Sequence, residues 1–527
     1  MTGISNPPQE LKHRLVVSSF VCKDTPEGLH VLIFKRSEKV HSYKGKWAAC
    51  SGHIEETDAS SLVAAERELV EETAYTSSDL EFIRAGKPFS IIDKSLSTRW
   101  TIHPFAFMLR PAATEEGKDK EPVIDWEHTE FQWVSPAEVI ERGKKGETVP
   151  HLNTSLSRVI IGPTTSEAIT ALENDHDSGA RELATNAVSY LRKVLVDPEE
   201  GGKATSAKEL WDLLRISSWH FSNARPSMGA AITSAVVRAL GAVREGWLKN
   251  VSILWYKMEG QKGLDRLRNN AGKKLELVIN ERYTGGGKLA QQFINWLEET
   301  KLSTLQEENR PLRILTLSSS LSVRDCLSTA ILRFPNLCVE LRVLESRPRN
   351  EGATFGSLFL SELRGQGIGP DRLNVKLAPD SHVAMMAKDI DMVLLGADRI
   401  SGEGDVSNKT GSFPAVLCAK KLAGDRQVDV VILAEVDKIA KPGALEHVVE
   451  ENNPEEVSES WSFKSEKESE YQDALAGGLK IHNIYFEWVP KEYVDVYVSE
   501  YGTLSREEVR QLAEKVAEME EKVFGDL

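Results

Sequence analysis

The stretch GHIEETDASSLVAAERELVEETAY, residues 52–75, decides how the first third of this chain is read. Leu62, Ala65, Leu69 and Thr73 recur at helical spacing and share one face. Glu68, Glu71 and Glu72 stand at i, i+3 and i+4 and share another. Like charges at these spacings destabilise a helix by roughly 0.2–0.5 kcal/mol per pair, and no lysine is mixed among them. Bound cations would relieve that repulsion. A hard divalent ion takes oxygen ligands, and carboxylates on one helix face can hold it against a diphosphate. The other reading is an acidic solvated face relieved by Arg67, and spacing alone does not separate the two.

Outward from this helix, RLVVSSFVC (14–22) and LHVLIFKR (29–36) read as strands joined by the turn KDTPEG. A glycine-bearing loop, 42–58, leads into the helix. Further strands are expected at TIHPFAFML (101–109) and TEFQWVS (129–135), with a charged loop, PAATEEGKDKEP (111–122), between them. SPAEVIERGKKG (135–146) has the form of a capped short helix. Together these make an α+β sandwich over residues 12–160. A linker is expected at 161–182, around the acidic ENDHDSG. A helical subdomain follows at 183–305, interrupted at TGGGK (284–288).

After residue 311 the pattern changes to near-continuous apolar runs: LRILTLS, CVELRVLES, LNVKLAPD, DMVLLGAD, DVVILAEV and VDVYVSE. Such runs are strands buried on both faces. Alternating with helices, they predict a Rossmann-like, doubly wound parallel sheet over 306–527. The fold class is α/β overall. The acidic, serine-rich stretch 447–476 is too polar for a core and is read as a mobile surface insertion.

The formal net charge of −15 argues against a nucleic-acid surface. Five cysteines, with no CxxC, do not suit a disulfide framework or a zinc ribbon. The N-terminal residues lack a signal-peptide pattern, and no apolar run approaches the length of a membrane span. The expectation is a reduced, cytoplasmic protein without a membrane partner.

The quoted stretch resembles the Nudix box of hydrolases that act on nucleoside diphosphates linked to another moiety. Arg67, Glu68, Leu69, Glu71 and Glu72 match its core. The resemblance implies a Nudix domain at 12–160 in which Glu68, Glu71 and Glu72 bind Mg2+ or Mn2+. It makes Glu71 and Glu72 catalytic and has Arg67 orient a glutamate. The chain departs from the box in three ways. The gap from Gly52 to Arg67 is one residue longer than in the box, Asp58 replaces a glutamate and Ala74 replaces a glycine. Glu127 is a candidate additional acid. Cys50, in KWAACSGHI, faintly resembles the cysteine of isopentenyl-diphosphate isomerases and is read instead as a small buried hydrophobe.

A second constellation begins where an apolar strand ends. GADRISGEGDVSNKTGSF (396–413) puts Asp398 at the carboxyl end of a parallel strand, where open α/β sheets bind ligands. Asn408 and Lys409 offer an amide and a cation to hydroxyl and phosphate groups. This stretch, with NARPSMGAAITSAV (223–236), LESRPRNEG (344–352) and YVSEYGTLS (497–505), resembles the family of initiation factor 2B alpha, beta and delta subunits. That family also holds methylthioribose-1-phosphate and ribose-1,5-bisphosphate isomerases. The resemblance implies dimers or larger assemblies through the C-terminal half, or partners like those of initiation factor 2B. It places Arg225, Arg347, Asn408 and Lys409 on the sugar or phosphate and makes Asp398 an acid–base residue. The cysteine that pairs with that aspartate in the isomerases is Ser318 here, and Cys326 lies eight residues on. A thiol exchanges a proton near neutral pH, whereas a serine needs a base beside it.

The reading is a magnesium-dependent hydrolase of a nucleoside diphosphate-sugar or related diphosphate, fused to a phosphosugar-binding domain. A non-catalytic regulatory protein and a ribose-1,5-bisphosphate isomerase are the alternatives.

Overall fold

A computed structural model describes residues 11–111, 120–176, 178–251, 260–424, 426–443, 451–461 and 465–527. The centre of the charged loop 111–122 and parts of the acidic stretch 447–476 lie outside them. The chain divides into two compact units that meet in sequence at Ser166 and Glu167.

The first unit carries β1 (Lys12–Thr25), β2 (Gly28–Arg36), β3 (Trp47–Ala48), α1 (Ser61–Thr73), β4 (Leu80–Ala85), β5 (Phe89–Asp93), β6 (Thr98–Leu109), β7 (His128–Val134), α2 (Pro136–Lys144) and α3 (Leu152–Val159). Its sheet runs β3-β2-β1-β6-β4, with β5 on β6 and β7 on β2. Alternation along the strands builds a core on each face. Leu32 and Phe34 join Val17, Phe105 and Phe107 under Ala64, Ala65 and Leu69 of α1. Val31 and Ile33 join Phe20 and Ala106 under Val139 of α2 and Leu152 and Leu156 of α3. Ser60 caps α1 by accepting from the Val63 amide, and Ser135 caps α2 through Glu138.

At the other end of α1, Ala74 closes the helix in the left-handed region, φ 56°. This is the position where the box has glycine. A Cβ there costs about 1–2 kcal/mol, so Ala74→Gly is expected to stabilise the first unit by roughly 1 kcal/mol in chemical denaturation. An unchanged midpoint would contradict that.

The second unit begins with helices: α4 (Pro163–Asn174), which crosses the boundary, α5 (Ala180–Val196), α6 (Ala207–Ala224), α7 (Gly229–Val251), α8 (Gln261–Leu297) and α9 (Ser303–Glu308). The expected linker 161–182 is therefore mostly α4 and the first turn of α5. Nor does TGGGK interrupt the helices: α8 runs straight through it. Gly286 keeps its place because Arg181 lies across it, 2.6 Å from where a Cβ would be. The stretch 226–248 is long and apolar enough to span a membrane by length and composition alone. Most of it is buried, packed among α5, α6 and α8.

The remainder alternates: β8 (Leu312–Leu317), α10 (Leu321–Arg333), β9 (Val339–Leu344), α11 (Glu351–Gly365), β10 (Leu373–Ala378), α12 (Val383–Met386), β11 (Met392–Leu395), β12 (Arg399–Ile400), β13 (Val406–Lys409), α13 (Ser412–Leu422), β14 (Asp429–Leu433), α14 (Glu455–Ser458), α15 (Ser465–Ala476), β15 (Phe486–Val489), β16 (Val496–Ser499), β17 (Gly502–Leu504) and α16 (Arg506–Phe524). The main sheet runs β10-β9-β8-β11-β14-β16-β17, parallel except for β17. Ile314, Leu394 and Val431 face one core, while Leu315, Val393 and Val430 face the other. The α/β class and the parallel sheet agree with the sequence reading. The order reverses between β8 and β11, and a small antiparallel sheet, β12-β13-β15, stands beside that point.

Part of the acidic stretch expected as a mobile surface insertion makes contacts with residues 483–485. Asn483 donates to the Asn453 carbonyl at 2.6 Å and to Glu456 at 2.9 Å, and the Tyr485 hydroxyl also bonds to Glu456. These bonds tie 453–456 down at the start of β15.

Candidate functional site

In the first unit, α1 brings Glu68 and Glu71, but not Glu72, to the wall of a cleft of about 600 Å³. They do not point the same way. Glu72 is buried, its carboxylate within 3.3 Å of the Ser51 amide and 3.8 Å of His128 Nε2. Burial pushes its carboxyl well above the ordinary range; Cys50 donates to it, while Glu68 and Glu127 push it further up. Glu68 is largely covered, and burial raises it against the opposing pull of Arg67. Glu71 is exposed. Burial raises Glu127 as well.

Arg67 ties this face together. It donates to Glu68 at 2.8 Å, to Glu71 at 3.4 Å and to the His53 carbonyl at 2.8 Å. A fork of two bonds to Asp58, 3.2 and 2.9 Å, fixes its plane. The substituted Asp58 thus anchors the arginine. Gly52 is required here for space: a Cβ on it would lie 1.9 Å from the Glu68 carboxyl carbon.

Glu68, Glu71 and Glu72 are therefore neighbours without converging. Among the described residues, no three acidic, histidine or cysteine side chains already form a metal-ligating group. The donor chemistry nevertheless fits a hard divalent cation: the atoms are carboxylate oxygens, and two are held under burial and mutual repulsion that a cation would relieve. Cys50 is buried, as expected of a small hydrophobe, and its thiol is pushed far up by burial with Glu72 beside it. Sequence reasoning missed His128, buried between Glu72 and Asp125, whose Oδ1 is 3.5 Å from Nδ1. Its position at the start of a strand carried no signal, because the contact spans 56 residues.

In the second unit, Ser318 and Asp398 follow the carboxyl ends of adjacent strands, β8 and β11. This is the crevice where a doubly wound sheet changes direction, the usual ligand position in such sheets. Ser318 sits in the left-handed region, φ 67°, with its amide donating to Ser346 Oγ at 2.7 Å. Ser346, φ 63°, and Asn350, φ 55°, share that conformation beyond the end of β9. Strained residues of this kind gather at ligand clamps.

Burial raises the Asp398 carboxyl, while Lys438, Lys409 and Arg225 pull it down in that order. Lys409 is buried, bonds to Glu351 at 2.6 Å and stands 4.5 Å from the Tyr485 ring centre. Asn408 donates to Ser412 at 2.9 Å. Arg225 is only 3% exposed; one nitrogen bonds to the Asp175 carbonyl and its Nε has no partner. An unmade bond from a buried cation is costly, which suits a site completed by an anionic ligand. Arg347 is placed differently. It is exposed, its amide bonds to Asp380 at 2.8 Å and its guanidinium meets Ser460 of the acidic stretch. Cys326 is fully buried in the core under α10, so it does not take the place of the missing thiol. Sequence reasoning missed Lys438 and Glu351. Lys438 had a signal, since LAEVDKI follows the carboxyl end of an apolar strand.

Comparison with known proteins bears on both sites. The model of the NUDIX domain matches residues 12–152, and the model of the Initiation factor 2 subunit family matches residues 176–506. The ribose 1,5-bisphosphate isomerase of Archaeoglobus fulgidus is 28% identical over 235 residues, 44% of this chain and 66% of that protein. The corresponding isomerase of Methanocaldococcus jannaschii is 31% identical, over 32% of this chain and 48% of its own. The methylthioribose-1-phosphate isomerase of Trichoplax adhaerens is 27% identical, over 32% of this chain and 41% of its own. The chain thus spans less than two thirds of each of these relatives. Among solved structures, the translation initiation factor eIF-2B of Pyrococcus horikoshii aligns with TM-score 0.45 and 16% identity, over 65% of this chain and 98% of that one.

Proposed function

Since this chain belongs to the Initiation factor 2 subunit family and carries a NUDIX domain, we propose that it hydrolyses a nucleoside diphosphate-sugar or related diphosphate with Mg2+ or Mn2+ and binds a phosphosugar in its second unit. The observation that carries the hydrolytic part is the pair of carboxylates Glu68 and Glu72, both raised by burial, of which Glu68 lines, with Glu71 and Glu127, a cleft of about 600 Å³. A bound divalent ion would polarise the phosphoryl oxygens and acidify water. Glu72 is oriented from behind by Ser51 and Cys50, and Arg67 holds Glu68 beside it.

In the second unit, Lys409, Lys438 and the unsatisfied Arg225 around Asp398 support an anionic sugar phosphate as ligand. Ser318 favours binding over isomerisation, because nothing at that position exchanges a proton at neutral pH. A regulatory role for this half follows from the same residue. We place the protein in the cytoplasm as a homo-oligomer through its second unit, in keeping with its unpaired cysteines.

The test is a panel of nucleoside diphosphate-sugars with Mg2+ or Mn2+, together with calorimetric titration of ribose 1,5-bisphosphate. Turnover of at least one diphosphate is expected. Lys409→Ala is expected to weaken the bisphosphate by roughly tenfold or more, the scale of a lost charge-assisted bond. No turnover with either ion would defeat the first part, and equal affinities the second.

A further inference from the structure

An acidic segment of the second unit is laid against the cations around Asp398. Residues 451–461 hold four glutamates and no lysine or arginine. The segment is fastened at one end. Glu451 forms an antiparallel bridge with Ile484, and the Asn452 amide donates to the Asn483 carbonyl at 2.8 Å. Tyr485, next along that chain, is itself held against the pocket. Its carbonyl accepts from the Thr410 amide at 2.8 Å, and its ring centre lies 4.5 Å from Lys409 Nζ.

From this anchor the segment passes through α14 and reaches two further groups. Glu456 takes the Tyr485 hydroxyl, and Ser460, four residues on, accepts from the Arg347 guanidinium. Arg347 follows the carboxyl end of β9, next to Ser346, whose hydroxyl meets the Ser318 amide. A hydroxyl is a neutral acceptor, whereas a phosphate offers a guanidinium its charge and two parallel bonds. The same pattern recurs nearby. Arg225 and Arg349 donate to the main-chain carbonyls of Asp175 and His176, and Arg349 also bonds to Tyr485. The chain's own oxygens thus stand on arginines of this pocket, and those on Arg347 come from a segment with the same sign of charge as a sugar phosphate.

We propose that residues 451–461 are an autoinhibitory strap. Docked on Arg347 and Tyr485, they compete with the anionic ligand of the second unit, which must displace them to bind. The apparent affinity is then lowered to the extent that the strap is docked. This role rests on the reading of that pocket as a phosphosugar site.

The experiment titrates ribose 1,5-bisphosphate and inorganic diphosphate into the full chain by calorimetry in EDTA and follows backbone hydrogen exchange of residues 451–461. Glu455→Gln, Glu456→Gln and Glu459→Gln together are expected to tighten the bisphosphate about fivefold to tenfold. Ser460→Ala, which leaves the charge unchanged, should tighten it about threefold. In the wild type, ligand should speed exchange in the strap. Weaker binding by the neutralised chain, or slower exchange on adding ligand, would mean that the segment closes over the ligand and would overturn the proposal; equal affinities would do the same. If the wild type binds diphosphate but not the bisphosphate, tighter diphosphate binding by the neutralised chain upholds the strap while the phosphosugar reading falls. If neither anion binds either chain, both fall.

Discussion

Glu72→Gln is expected to lower metal-dependent diphosphate hydrolysis by roughly 10²–10⁴-fold, the range a positioned carboxylate contributes to proton transfer or metal ligation. The same substitution has an opposite effect on the fold. The Glu72 carboxyl is held above its ordinary 4.5, chiefly by burial, with Glu68 and Glu127 adding to the shift. A carboxyl raised in the folded state contributes stability that is full below its unfolded value and is lost as pH rises through the folded one. In EDTA, the melting midpoint of the wild type therefore carries a loss that sets in above pH 4.5, and the Gln variant lacks it. At pH 8 without metal the variant should melt higher. Adding Mg2+ should raise the wild-type midpoint and raise that of the variant less. Identical midpoints in EDTA and identical responses to Mg2+ would remove both the burial cost and the ligand role.

The second large effect concerns the joint between helices and sheet in the second unit. Asp437 lies in the one-turn helix Val436–Lys438 just beyond β14. It is buried, paired with Arg282 of α8 and Arg238 of α7, and accepts from Ser234 at 3.3 Å. Burial alone would raise its carboxyl, but Arg282 and Arg238 hold it below its ordinary value. Its stabilising contribution is therefore present above pH 3.8 and is lost as pH falls through the folded value. Asp437→Ala leaves Arg282 buried without its counter-ion, at a cost of about 3–5 kcal/mol. Urea denaturation followed by circular dichroism should show the transition of the second unit at lower denaturant. Removing both charges with Asp437→Leu and Arg282→Met should recover most of the loss. Because Lys438 is the next residue, Asp437→Ala should also weaken ribose 1,5-bisphosphate. A change under about 1 kcal/mol would mean that the joint is held by packing instead.

Local signals served the elements well and served contacts across elements poorly. The strands 14–22 and 29–36 and the helix around Glu68 were legible because each residue's neighbours in sequence are also its neighbours in the element. TGGGK misled because glycine's intrinsic helix penalty, about 1 kcal/mol, was read without the Arg181 side chain that needs the space at Gly286. Residues 161–182, expected as a linker, contain the division between the two units and are largely helical, since a polar composition does not exclude a helix.

At the sites the division is similar. Residue type and spacing alone placed Glu68, Glu71 and Glu72 on one helix, and the end of an apolar strand placed Asp398 at the carboxyl end of the parallel strands. Only the folded chain decided that Glu72 is buried while Glu71 is exposed, that Asp58 anchors Arg67, and that Lys438, Lys409 and Arg225 act on one carboxylate. It also laid residues 451–461 against Arg347 and Tyr485. The physical reason is range. Periodicity and capping act within a few residues and are written in the order of the chain. Burial, ion pairing and stacking join residues up to hundreds of positions apart, and exist only once the sheets have aligned.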